Sequence, residues 1–191
     1  MRILCDMDGV VMDIMSSWLR MYNQDYDDSL TVDDIISRDI EKYVKPECGN
    51  GIYEYPRMKG FFRQAQLYPE AQDGIQKLFE TEDDIWFIAT PLPDTEYFLQ
   101  ETTEWVEEHF PQIGSKNIIF CLDKGIIGGH VLIDDIFENF NSFCGLKVLF
   151  ERPWNQHFTP ARLSDINDSQ CFKTGNWEDI IDVVKLLGVL I

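Results

Sequence analysis

Apolar positions along the chain follow two periodicities. Short runs rich in β-branched or aromatic residues occur at Ile3–Cys5, Ile85–Ala89, Ile118–Cys121, Val131–Ile133 and Lys147–Phe150, and their length and continuity predict strands buried on both faces. Between them, Glu70–Phe79, Thr95–Phe110 and Trp177–Leu187 carry apolar residues at helical spacing, with Asn176 placed to cap the last. Strands alternating with helices predict an α/β fold, a Rossmann-like parallel sheet with helices on both faces.

The first interval breaks this rhythm. From Asp13 to about Gln66 the pattern is helical, with Ile14, Trp18, Leu19 and Tyr22 at helical spacing and a further start signal at Thr31-Val32-Asp33-Asp34. The expectation is a small helical cap, residues 13–66, inserted after the first strand of an α/β core made of residues 1–12 and 67–191. Glu151–Gln170, rich in Pro, Asn and Asp, reads as a surface loop.

Composition changes the picture in one respect. The 191 residues are 45% hydrophobic, enough for one compact domain with a real core, but 16 Lys+Arg face 34 Asp+Glu for a net charge of −18. So negative a field repels phosphate backbones and anionic lipid, which argues against a nucleic-acid polymer or a membrane as partner. A small anionic substrate would need a metal ion and local positive groups. The few residues before Asp6 leave no room for an apolar signal region, so a cytoplasmic location is expected. Five cysteines, odd in number and without a CxxC pair, predict reduced thiols. His109, His130 and His157 are scattered and form no ligand pair. Between Leu78 and Ser115 there is no Lys or Arg, and Glu101, Glu104, Glu107 and Glu108 read as a solvated helix face.

The candidate chemistry starts at Asp6-Met7-Asp8-Gly9, two carboxylates two residues apart just beyond an apolar strand. Parallel sheets bind ligands beyond the carboxyl ends of their strands, and Gly9 would let the chain turn there. Taken alone the motif is also an ordinary acidic turn. Three later features share its position: Thr90 follows Trp86-Phe87-Ile88-Ala89, Lys124 follows Ile118–Cys121, and Asp134-Asp135 follows Val131-Leu132-Ile133. Each has a bland reading as a cap, a solvated lysine or a turn. Together they set two acid pairs, a hydroxyl and an ammonium at one sheet edge, the groups needed for metal-assisted phosphoryl transfer through a carboxylate nucleophile. Lys116 precedes its strand and so belongs to the opposite edge. Cys5 alternates with Asp6 and points to the core.

This order resembles the haloacid dehalogenase-like phosphohydrolases, whose motifs run DxD, Thr/Ser, Lys, acidic pair. Asp6-Met7-Asp8-Gly9-Val10, Lys59-Gly60-Phe61-Phe62, Trp86-Phe87-Ile88-Ala89-Thr90 and Asp123-Lys124 through Leu132-Ile133-Asp134-Asp135 are similar to the 5'(3')-deoxyribonucleotidase branch, and Pro153-Trp154-Asn155 follows it more loosely. The resemblance implies catalysis by Asp6 as nucleophile and Asp8 as general acid and base. It further implies phosphate binding by Thr90 and Lys124, and Mg²⁺ held by Asp6, the Asp8 carbonyl and Asp135, with Asp134 in or next to that shell. The implied partner is a small phosphomonoester, a deoxyribonucleoside 5'-monophosphate, and a homodimer is left open. Ile14, Trp18, Tyr53, Tyr55, Phe61 and Phe62 are the cap residues expected to shape the pocket. Two alternatives stand beside this reading: a phosphatase of the same superfamily acting on sugar phosphates, and a non-enzymatic phospho-acceptor domain, whose acid pair would not recur near the end of the motif series.

Overall fold

The computed structural model describes residues 1–81, 84–158 and 171–190. Six parallel strands form one sheet in the order β5-β4-β1-β6-β7-β8, with β1 Arg2–Asp6, β4 Asp84–Ala89, β5 Ile118–Phe120, β6 Val131–Asp134, β7 Leu146–Phe150 and β8 Cys171–Thr174. Five of these are the expected strands. The sixth, β8, lies just beyond the expected loop: Cys171-Phe172-Lys173-Thr174 offers no apolar run, and its strand state depends on pairing with Lys147–Phe150 across the chain. Residues 159–170 of that loop lie outside the described residues.

Strand alternation divides the core. Ile3, Cys5, Phe87, Val131, Ile133 and Val148 belong to one large cluster together with apolar residues of α2 Ala71–Glu80, α3 Phe98–His109 and α4 Trp177–Leu190. Leu4, Ile88, Leu132 and Leu149 belong to a second cluster, covered by Phe140 and Phe143 around a 3-10 helix, Phe137–Phe140. The second face is therefore covered by short 3-10 segments where the first carries long α-helices. Helix α2 lies so close to α4 that a Cβ at Gly74 would stand 2.4 Å from the Trp177 ring. Asn176 caps α4 as expected, its side-chain oxygen accepting the Glu178 N–H at 2.9 Å.

The interval after β1 is bounded by a two-residue antiparallel ladder, β2 Met12–Asp13 on β3 Gln66–Leu67, with Met12 opposite Leu67. Beyond this neck runs α1 Ile14–Tyr26, started by Asp13, whose carboxylate accepts the Ser16 N–H at 2.9 Å. Asp27, in the left-handed region at φ 48°, ends it. The remainder is 3-10 rather than α-helical, in segments Val32–Asp34, Ile40–Lys42 and Gly49–Arg57. The start signal at Thr31 is real, since Asp34 accepts from both the Thr31 N–H and its hydroxyl. Pro46, Gly49, Gly51, Pro56 and Gly60 then deny the chain any long helix. Among the described residues no helix is long and apolar enough to cross a membrane.

Candidate active site

Sheet register brings the acids together. Cys5 pairs with Ile133, so Asp6 and Asp134, the last residues of adjacent strands, stand level at the carboxyl edge. Asp6 also pairs with Ile88 on the other side, and Thr90 follows two residues later, just past the end of β4. Lys124 comes from a 3-10 turn after the edge strand β5, and the Asp123 carboxylate accepts the Gly125 N–H to shape that turn. Its ammonium reaches Asp6 Oδ1 at 2.5 Å and Asp134 Oδ2 at 3.0 Å, with 2% of the side chain exposed.

At that burial the charges cannot be left to water, and each shift reflects it. Burial pushes the Asp6 carboxyl well above its usual range and Asp134 adds to this, while Lys124 opposes. For Lys124, burial disfavours the cation, but Asp134 and Asp6 outweigh it and hold the ammonium above its ordinary value. Met7 N–H and Lys124 both bond Asp6 Oδ1, the former at 2.7 Å, and among the described residues Oδ2 has no donor. Asp134 is fully enclosed by Lys124, the Ile136 N–H at 2.8 Å and the Asn139 amide at 2.9 and 3.0 Å.

Asp135 is held differently. Trp154 Nε1 donates to its Oδ2 at 2.6 Å, and the Asn155 amide donates to its backbone carbonyl at 2.9 Å. Gly9 packs on the same carboxylate: at φ +74° a Cβ there would lie 2.4 Å from Asp135 Oδ2, so both backbone and space demand glycine. Oδ1 of Asp135 is buried with no hydrogen-bond partner among the described residues. Burial, then Asp134 and Asp8, raise this carboxyl to about 7.

Asp8 faces outward. It lines a cleft of about 390 Å³ between the sheet edge and residues 14–57, together with Asp135 and Trp154. The protein packed around its exposed carboxyl partly desolvates it, and this, with the Asp6 charge, lifts it to about 7. Of the expected pocket residues, Ile14, Trp18 and Tyr53 line the cleft. Tyr55, Phe61 and Phe62 are core residues instead; Phe61 packs edge-on to Trp18, and Phe62 does so to Phe98. Thr90 is exposed just past β4.

Several site residues escaped sequence reasoning. Arg38 and Arg57 line the cleft and supply local positive charge in a strongly acidic chain. Arg38 forms no ion pair among the described residues, while Arg57 pairs with Glu54 and Asp94. Their only sequence signal was being basic in a segment predicted to cap the site. Glu101, read as solvated, is buried and accepts the N–H groups of Gly60, Phe62 and Arg63. Trp154 and Asn155, placed in a surface loop, are buried against Asp135. Cys5 is a buried thiol that burial pushes up, and Lys116 precedes β5 as expected.

One carboxylate oxygen from each of Asp6, Asp134 and Asp135 lies within 4.8 Å of the other two. Three buried acids against one lysine, with Asp6 Oδ2 and Asp135 Oδ1 lacking a donor among the described residues, form an all-oxygen set that fits a hard divalent cation.

Comparison with known proteins agrees with this geometry. The family model for 5' nucleotidase, deoxy (pyrimidine), cytosolic type C protein matches residues 1–187. A 5'(3')-deoxyribonucleotidase from Clostridium acetobutylicum is 36% identical over 152 residues, covering 79% of this chain and 82% of that protein. One from Bacillus subtilis is 32% identical over 179 residues, covering 93% and 95%. Among solved structures, a haloacid dehalogenase-like family hydrolase from Streptococcus pneumoniae aligns with a TM-score of 0.59 at 11% identity, covering 96% of this chain and 97% of that one. The HAD-hydrolase YfnB from Bacillus subtilis, bound to magnesium, aligns with a TM-score of 0.56 at 15% identity, covering 96% and 98%. These two likenesses concern the fold.

Proposed function

The chain belongs to the 5' nucleotidase, deoxy (pyrimidine), cytosolic type C family, and from that premise we propose that it is a Mg²⁺-dependent phosphomonoesterase hydrolysing deoxyribonucleoside 5'-monophosphates. The observation that carries the proposal is the Asp6 carboxylate: it ends the central strand, is fixed through Oδ1 by Lys124 and Met7 N–H, and among the described residues keeps Oδ2 without a donor.

Asp6 Oδ2 attacks phosphorus as the bond to the sugar oxygen breaks, giving an aspartyl-phosphate. Asp8, facing the cleft with its carboxyl near neutrality, gives its proton to the departing oxygen. It then takes a proton from the water that hydrolyses the aspartyl-phosphate, which restores both acids and releases inorganic phosphate. Lys124 has three N–H donors, of which two are engaged by Asp6 and Asp134, leaving one for a phosphoryl oxygen. Thr90, just past β4, offers its hydroxyl to the same group. Asp6, Asp135 and Asp134, with the Asp8 carbonyl, would hold Mg²⁺, as the magnesium-bound YfnB and the donor chemistry suggest. When bound, the cation offsets carboxylate charge and polarises the phosphoryl oxygens.

Substrate choice falls to the roof. Trp18 and Tyr53, in edge-to-face contact at 6.0 Å, offer aromatic surface for a base, and Arg38 and Arg57 offset the substrate's negative charge. A panel of deoxyribonucleotides, ribonucleotides and sugar phosphates tests the proposal, with Asp6→Asn as the blank. Deoxyribonucleoside 5'-monophosphates should turn over fastest, and the blank should lose roughly 10⁴-fold or more in kcat. Faster hydrolysis of sugar phosphates than of every nucleotide would overturn the substrate class, and an active blank would overturn the mechanism.

A further inference from the structure

The segment after β7 crosses the site without contributing any group the mechanism uses, yet it touches both loops that do. Arg152 Nε donates to the Gly9 carbonyl at 2.5 Å, with its guanidinium 3.8 Å over the Tyr68 ring and 4.6 Å from that of Phe150. Trp154 Nε1 holds Asp135 Oδ2, and the Asn155 amide ties the Asp135 carbonyl to that of Phe150 at 2.7 Å. Gly9 and Asp135 are themselves in contact. Three residues, Arg152, Trp154 and Asn155, thus fix the Asp8-Gly9 turn and the second acid of the pair relative to each other.

We propose that Arg152–Asn155 is a positioning clamp for the cation site, and that Trp154, by occupying Asp135 Oδ2, sets Oδ1 toward the ion. This rests on the cation site proposed above. A carboxylate rotates freely about its last bond unless one oxygen is engaged. Here Oδ2 is engaged by a buried indole N–H and Oδ1 has no other claimant among the described residues. Groups that orient a metal ligand in this way typically contribute ten- to a hundredfold to affinity.

The test is Mn²⁺ binding followed by electron paramagnetic resonance on substrate-free protein. Trp154→Phe keeps most of the ring and removes the N–H, and should raise the Mn²⁺ dissociation constant by roughly tenfold or more. Trp154→His is the rescue variant, since imidazole Nε2 occupies the ring position of indole Nε1, and it should bind Mn²⁺ more tightly than Trp154→Phe. Circular dichroism and melting of each metal-free variant establish that it folds. Equal affinity in the parent and a folded Trp154→Phe would overturn the clamp and leave the cation site standing. If Trp154→Phe does not fold, Trp154→His decides: affinity below one-tenth of the parent's despite the retained N–H overturns the clamp, and near-parent affinity supports it. A parent that binds no Mn²⁺ overturns both clamp and cation site.

Discussion

Two cations in this protein are each answered by a pair of acids, in opposite surroundings. Lys124, 2% exposed, divides itself between Asp6 and Asp134 at the floor of the cleft. Arg57, with 43% of its side chain exposed, meets Glu54 at 2.6 Å and Asp94 at 3.7 Å at the roof. At the floor, water cannot take over if a partner is lost, so the three groups stand or fall together. At the roof it can, and Arg57 is able to leave its acids for an incoming anion at little cost. The difference suits the division of labour proposed here: the floor holds reacting atoms still, and the roof adapts to what arrives.

That contrast can be broken at several points. The largest effect should come from removing the cation that balances the acid Lys124 does not reach. Chelation should take phosphatase activity below detection, Mg²⁺ should restore it, and Ca²⁺, with its larger and more flexible shell, should restore little. Retention of full activity by rigorously metal-free protein would show that the floor needs no ion. Next is Lys124→Met, which leaves Asp6 and Asp134 buried together without their cation. Denaturant melts should show about 3–5 kcal/mol of lost stability, and kcat should drop by roughly 10²- to 10³-fold. A stable, active Lys124→Met protein would mean that the floor is better solvated than its burial indicates.

Smaller effects are expected above. Arg38→Ala should raise KM by roughly tenfold, the order of one charge-assisted hydrogen bond, with kcat nearly unchanged. A fall in kcat with constant KM would move Arg38 from substrate capture into the chemistry. Arg57→Ala should be the mildest change, below about 1 kcal/mol in stability and a few-fold in KM. A loss as large as that of Lys124→Met would erase the distinction between the two surfaces.

The floor was largely legible in the sequence because its acids end strands and its lysine follows one. An apolar run states where a strand lies, and parallel register then fixes which ends meet, so Asp6 and Asp134 could be brought together in advance, whereas Lys124 could be placed only at the same edge, by following β5. The residues missed owe their roles to contacts remote in sequence. Glu101 sits among exposed acids on α3 and differs from them only in having Gly60–Arg63 packed above it. Trp154 lies in a polar stretch, and its indole N–H acquires a purpose only from Asp135, 19 residues earlier. Strand β8 has too little apolar character to announce itself without β7 alongside. At the roof, helical spacing identified α1, but it could not tell Trp18, which faces the cleft, from Phe61, which packs beneath it.

Glu101 also bears on how such a protein could change over generations. Its carboxylate takes hold of main-chain N–H groups at 60, 62 and 63, the neck at Met12 and Leu67 is a main-chain ladder, and Trp18 is anchored on the carbonyl of Ile52. Attachments of this kind read the path of the backbone and are blind to most of the side chains it carries. Residues such as Tyr53 and Arg57 can therefore be exchanged without loosening the roof from the sheet. New substrate preferences are then open to single substitutions, each tried on a scaffold that stays assembled.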